Sequence, residues 1–590
     1  MALRIEDYAL IGNCSTGALV GRNGSIDWLA LPRFDSASCF GALLGDDDHG
    51  RWLLAPDDPA ATCTREYDSN SLILITHWHT TTGDVDVIDF MPVRDERCDV
   101  VRRVVGISGT VDMHDELRIR CGYAASVPWV RQITSERPSA LVAVAGPDAL
   151  VFRGATRHPH GRAHHSAFRV HAGEHVNLTM TWFPSYSATP APVNVDDELT
   201  HTRNWWWGWA SRCDHNGPYH DNVMRSLLLL RALTHRQTGG IVAAATTSLP
   251  EIIGGERNWD YRYVWLRDAS LTIDVLVTHG YVDLVSHWRD WLLRAIAGDP
   301  ADVQIVYGLS GERDLHEREL TTLPGYRNSG PVRVGNGAWN QFQADVIGEV
   351  MFALDRGRAA GVSETHFSWS LQRSLVSYLE KNWRKPDNGI WEIRGEPQHF
   401  THSRVLVWAA FDCAIRGVEV YGLEGPVAQW RKLRDEIRAD IEQNGFDTQK
   451  NTYVQYFGTS EVDASLLVLP QVGYCAYDDP RMLGTVSAIE QELMPNSLVM
   501  RYRTEDGVDG LPTGENPFLP CSFWLVEQYA RSGRISDARS LMDRLVTLSN
   551  DVGMLSEEYD VSADTQVGNV PQALSHLALI RGADALRGVL

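Results

Sequence analysis

The sequence predicts two domains of different class, an N-terminal β-sandwich and a larger all-α C-terminal domain. Three observations predict this. Apolar residues alternate with period two from about residue 8 to 190, they recur with period 3.6 after residue 240, and a tryptophan-dense helical stretch at about 195–235 joins the two regimes.

The β region comes first. Segments 71–79 (SLILITHWH), 84–90 (DVDVIDF), 116–123, 140–145, 167–171 and 175–182 (HVNLTMTW) alternate apolar and polar residues. Gly, Pro, Asp and Asn mark the turns between them, as in NGS at 23–25. Many short antiparallel strands with turn signals read as a sandwich, assigned to residues 1–193. Residues 194–240 carry VDDELTHTRNWWWGWASRC and HDNVMRSLLLLRALTH. Their helical spacing makes Trp205, Trp206, Trp207 and Trp209 part of connecting helices packed between domains rather than a ligand site. Over 241–590, helices are expected at 269–277, 282–297, 341–359, 364–382, 403–416, 426–444, 487–494, 521–532, 535–549 and 571–587. Pro426 and Pro571 stand where a first-turn proline belongs. That number of moderate helices suits pairs stacked into a closed ring, although periodicity does not establish closure.

Composition excludes several function classes. The 590 residues include 54 Lys+Arg and 76 Asp+Glu, a formal charge of −22 without any basic run, so a phosphate backbone is an unfavourable partner. No segment approaches the roughly 18–20 apolar residues of a membrane span, and the N-terminus lacks the apolar core of a secretory signal. Nine cysteines, an odd number without a CxxC pair, argue for thiols in a reducing compartment, and a cytoplasmic location is expected. Fifteen of the 20 tryptophans follow residue 200; aromatic faces suit sugar rings, though a tryptophan is more often core.

Familiar chemistries fall away. GNG at 335–337 lacks the third glycine of a dinucleotide loop, and no P-loop, HExxH or GxSxG is present. The histidines of RHPHGRAHH (His158, His160, His164, His165) read as a solvated loop, since no Cys or carboxylate is near in sequence. What remains is a set of loops that pair carboxylates with aromatic residues. NWDYRYVWLRD at 258–268 places Arg267 and Asp268 at a helix entry, a guanidinium fork beside an acceptor that suits adjacent sugar hydroxyls. Asp268 could equally cap a helix beginning at Ala269. GIWEIRG at 389–395 sets Glu392 between Trp391 and Ile393, neighbours that disfavour the charged carboxylate and let it donate a proton near neutrality. GMLSEEYD at 553–560 offers Glu557 and Glu558 beside Tyr559, and a carboxylate there can act as a base on water. Two carboxylates in different environments are what glycoside hydrolysis requires.

With these motifs in order, and with GNCSTGALVGRNGSIDWLALPRFDS, LPGYRNSGPVRVGN, HFTHSRVLVW, LPCSFWL and GNVPQALSHLALI, the chain resembles glycoside hydrolase family 15, the glucoamylase and trehalase family, in its bacterial two-domain form. The resemblance implies an N-terminal β-supersandwich followed by an (α/α)6 toroid. It makes Glu392, directly after Trp391, the general acid and Glu557 the general base; Trp265, Arg267 and Asp268 hold the terminal glucose, and Trp391 and Tyr559 join them as substrate-binding residues. Neither a cofactor nor a metal is expected. Fungal glucoamylases often carry a second acid after the general acid, where this chain has Ile393, which points away from a maltodextrin acceptor. The implied function is inverting, exo-acting hydrolysis of a small soluble α-glucoside, foremost α,α-trehalose. Isomaltose or malto-oligosaccharide hydrolysis is the alternative, ahead of an α-glucoside phosphorylase or an inactive sugar-binding protein. The β-sandwich is expected to be structural. Loop 31–38, with Phe34 and Asp35, either reaches the toroid's mouth or packs between domains.

Overall fold

The computed structural model describes residues 2–94, 97–136, 138–213 and 215–588. Antiparallel strands fill the first part of the chain and helices dominate the rest, as the two periodicities predict. A 21-residue strand, Cys98–Arg118, organises the β part. Its first half pairs with His175–Pro184 and Gly83–Phe90, and its second half with Arg51–Pro56 and Ala163–His171, so one strand serves two sheet regions. The changeover falls near Gly106 and Gly109. A Cβ on Gly106 would meet the His171 carbonyl oxygen at 2.1 Å, and Gly109 has φ +59°, so both positions require glycine. The predicted strand at 116–123 is therefore the tail of this longer one, which ends at Arg118. The histidine-rich segment is likewise no loop: His158–His160 pairs with Ala163–His171 as a hairpin.

Twelve α-helices lie among the described residues: α1 Val195–Ala210, α2 His220–Leu233, α3 Leu266–Thr278, α4 Val282–Ala295, α5 Asp345–Ala359, α6 His366–Asn382, α7 Thr401–Glu419, α8 Val427–Asn444, α9 Pro480–Glu492, α10 Leu519–Arg531, α11 Ile535–Val546 and α12 Ala573–Arg587. Helix α1 buries Trp206 and Trp209 and leaves Trp207 exposed, the connector that the spacing predicts. Helix α12 begins two residues after Pro571, because the Gln572 side chain accepts from the Ser575 N–H and sets the start there. Pro426 is likewise the residue before α8 rather than within its first turn. Helix α3 packs on α5 and α5 on α7. The chain Ala464–Val468 links α7 to α10, α10 packs on α12, and α12 returns to α3, so these contacts close on themselves. One apolar core runs through both parts of the molecule, from Ile5 to Ala585.

The β part grips the helical part behind one loop. Arg262, fully buried, forks onto Asp260 (2.8 and 2.9 Å) and donates to the carbonyls of Phe34 (3.3 Å) and Ser36 (2.8 Å) and to the Tyr123 hydroxyl (2.8 Å). Trp28 Nε1 donates to the Ala245 carbonyl at 2.9 Å. A guanidinium can supply five donors to such a set, which a lysine could not match.

Candidate active site

The segment 259–263 runs extended against 243–248: the Ser248 N–H donates to the Trp259 carbonyl, Ala244 to Tyr261 and Ala243 to Tyr263. Extended backbone alternates its side chains, so Trp259 and Tyr261 face a cavity while Asp260 and Arg262 face the β part. The enclosed space is small, about 70 Å³ open to water-sized groups. Trp265, Arg267, Asp268, Trp391 and Glu392 all line it, so five of the seven sequence-predicted residues meet there.

Helix α3 begins at Leu266 rather than Ala269, which places Arg267 and Asp268 inside its first turn and removes Asp268 from the cap position. Arg267 donates to the Ile390 carbonyl (2.7 Å), pairs with Asp268 (3.0 Å) and lies 3.7 Å from Glu392. One Asp268 oxygen, Oδ1, is buried without a partner. An acceptor left bare at a cavity wall matches a hydroxyl-bearing ligand.

Glu392 sits on the α6–α7 loop with φ +58°, a left-handed conformation that costs a non-glycine residue on the order of 1 kcal/mol and marks functional sites when the surroundings enforce it. The enforcement is visible: its N–H donates to the Gly389 carbonyl (3.1 Å), the next N–H to Asn388 (3.1 Å), and Gln341 Nε2 donates to the carbonyls of Glu392 (3.2 Å) and Ile393 (3.1 Å). Trp265 Nε1 donates to its carboxylate at 2.6 Å. Burial raises the Glu392 pKa, against the pull of Arg267 and the indole. Trp391 is held by Asp463 (3.3 Å) and packs on Trp524, Phe518 and Tyr502.

Glu557 is fully buried and joins the cavity wall through Tyr261, whose hydroxyl donates to Oε1 at 2.6 Å. The Asn569 N–H donates to Oε2 at 3.3 Å. Burial first, and then the nearby charge of Glu251, pushes its pKa up to about 8, while Arg501 pulls it down. Glu558 is separated in role: it accepts from Arg501 (3.0 Å) and the Asn516 N–H (3.2 Å). Arg501 also bonds Glu251 (3.0 Å) and Glu515. Glu251, Glu557 and Glu558 bring carboxylate oxygens within 4.8 Å of one another, and Glu251 and Glu558 both accept from Arg501.

Tyr559 is not brought to the cavity. Its hydroxyl donates to Asp564 (2.6 Å), it does not line the wall, and no substrate role is carried forward for it. Loop 31–38 also stays away: Asp35 accepts from Arg33 and from the Leu309 N–H (3.2 Å), and Phe34 is buried, so the loop packs between the two parts. Tyr261, Trp259, Glu251 and Arg501 were missed by sequence reasoning. The alternation of Trp259, Tyr261 and Tyr263 was the available signal for the first two; nothing local marks Glu251 or Arg501.

The model of the glycosyl hydrolases of family 15 matches residues 217–584, and a trehalase-like N-terminal model matches 1–135. A trehalase of Mycolicibacterium smegmatis is 36% identical, over 98% of this chain and 90% of its own length. A trehalase of Thermoplasma volcanium is 33% identical, over 100% and 94%. Among solved structures, a bacterial glucoamylase complexed with acarbose superposes with a TM-score of 0.74 over 99% of this chain and 94% of its own, at 13% identity, a likeness of fold.

Proposed function

The chain belongs to glycosyl hydrolase family 15, and on that premise we propose that it is an inverting α,α-trehalase with Glu392 as general acid and Glu557 as general base. The observation that carries the proposal is a pair of carboxylates joined across one cavity. Glu392 is bonded to Trp265, Glu557 to Tyr261, and the two rings meet edge-on at 5.5 Å. Trehalose as substrate is supported by relatives named trehalases that span nearly the whole chain. The closed helix contacts support an (α/α)6 toroid. Nine unpaired cysteines support a reducing, cytoplasmic setting.

Arg267 and the bare Asp268 oxygen hold hydroxyls of the non-reducing glucose, and the Trp391 ring offers its face to the sugar. Glu392, whose charged form burial disfavours, donates a proton to the glycosidic oxygen as the bond breaks. Although burial and then Glu251 push its pKa up to about 8, Glu557 acts in its ionised form, taking a proton from the water that attacks the opposite face, with Tyr261 fixing the carboxylate's orientation. Inversion needs room for that water, a carboxylate separation of roughly 6.5–9.5 Å. Incubation with trehalose, isomaltose and maltose, with and without phosphate, tests the reading. The expected result is free glucose from trehalose in preference to the others. Glucose 1-phosphate, or no turnover of trehalose, overturns it.

A further inference from the structure

The β part carries a second cluster of chemistry-bearing side chains, outside the catalytic cavity. His114 and Glu116 stand two residues apart on Cys98–Arg118 and share a face. In the neighbouring strand His165 lies directly opposite Glu116, and Ala167 opposite His114. The donor atoms of His114, Glu116 and His165 fall within 4.8 Å of one another. The His114 and His165 rings are 5.5 Å apart, and His160, on the paired strand His158–His160, meets the His165 ring edge-on at 5.4 Å. Sequence order hid this grouping, because Glu116 and His114 come from a strand some fifty positions earlier than the histidine hairpin.

We propose that His114, Glu116 and His165, with His160 as the adjacent fourth donor, form a binding site for a zinc-class divalent transition ion. Three features carry this. Imidazoles joined by one carboxylate are the donor set that such ions take, in contrast to the all-oxygen cages of calcium and magnesium. Glu116 is pre-oriented: Arg51 (3.0 Å) and Arg118 (2.7 Å) hold Oε1, which leaves Oε2 turned toward His165 Nδ1 at 3.9 Å. An outer pair of donors fixing a ligating carboxylate is the usual support of a metal ligand. His165 Nε2, the nitrogen other than the Glu116-facing Nδ1, is buried and has no hydrogen-bond partner, so no hydrogen bond there holds the ring against a metal.

The backbone frame is fixed by the strand ladder. Zn–N bonds of about 2.0–2.1 Å put tetrahedral donors about 3.4 Å apart. The bound ion ties the hairpin to the long strand that both sheet regions share. Among the described residues His215, His279 and Asp584 also bring His and carboxylate donor atoms within 4.8 Å of one another, and that grouping differs in kind. There Asp584 already pairs with His279 at 2.9 Å, and that hydrogen bond holds the His279 pKa up at about 9, a charged imidazolium rather than a ligand.

The test uses the full chain, freed of metal with EDTA and titrated with zinc chloride, reading bound metal by elemental analysis after equilibrium dialysis. One zinc per chain is expected at micromolar free metal, together with a higher thermal midpoint, since the ion binds the folded state. Cobalt in place of zinc should give the intense visible bands of a four-coordinate site. His114→Ala and His165→Gln should each weaken binding at least as much as the roughly 10–100-fold that loss of an outer-shell partner costs. Binding only at millimolar metal overturns the proposal. So does stoichiometric binding that survives in the His114→Ala/His165→Gln double variant, which would put the ion elsewhere.

Discussion

Glu392 and Glu557 serve one cavity but are held in opposite ways. Glu392 sits on a loop, partly accessible, on strained backbone, with one indole donor and a guanidinium 3.7 Å away. Glu557 immediately precedes the short strand Glu558–Asp560, is fully buried, and lies beside a network in which Glu251, Glu558 and Glu515 share the charge of Arg501. Glu392 is thus placed by local backbone geometry, whereas Glu557 is governed by electrostatics assembled from distant parts of the chain. Perturbations should separate the two.

The largest effect comes from the carboxylates themselves. Glu392→Gln and Glu557→Gln should each lower kcat on trehalose by about 10²–10⁴. An activated substrate then distinguishes them. α-Glucosyl fluoride has a leaving group that needs no proton, so Glu392→Gln should recover most of its turnover and Glu557→Gln should not. Equal recovery in both variants would erase the assigned difference.

Tyr261→Phe comes next. It removes the hydroxyl bonded to Glu557 and leaves the ring against Trp265. A hydrogen bond to a charged group contributes about 1.5–3 kcal/mol, or ~10- to 150-fold in kcat, with KM nearly unchanged. A rise in KM alone would make Tyr261 a binding residue instead.

The pH profile sharpens the electrostatic half of the comparison. Glu251 is a like charge that raises Glu557, whose pKa lies at about 8. Glu251→Gln should therefore move the pKa that Glu557 contributes to the kcat/KM profile to lower pH and leave that of Glu392 in place. A profile unchanged at both limits, or a shift upward, would show that Glu251 does not act on the base.

The smallest effect belongs to the contact between the two parts of the molecule. Arg33 pairs with the half-exposed Glu312 at 2.9 Å. Glu312→Gln should cost no more than ~1 kcal/mol of stability and leave kcat as it was. A large loss of kcat would mean that loop 31–38 reaches the chemistry after all.

The same divide governs what could be read from the sequence. Glu392 was legible because its determinants are adjacent: a tryptophan before it, an isoleucine after it, glycines at both ends of the loop. Helix α3 was legible as a helix, but its start was placed three residues late, because Trp265 precedes it without a capping side chain. Glu557 was found through its motif, yet its partners were not. Glu251, Tyr261, Arg501 and Asn569 come from four segments that only the fold brings together. The long strand Cys98–Arg118 escaped for a related reason. Its apolar residues run together where both faces are buried, as in VVRRVV, so the period-two signal fades where the strand is most central.

The central claim is that a water activated by Glu557 attacks opposite the oxygen protonated by Glu392, and the anomers first released test it most directly. Proton NMR of trehalose turnover, followed before mutarotation, separates α- and β-glucose. Both linkages of trehalose are α, so inversion at one centre predicts equal initial amounts of α- and β-glucose. Initial release of α-glucose alone would contradict the account, because it would require a covalent intermediate on one of the two carboxylates.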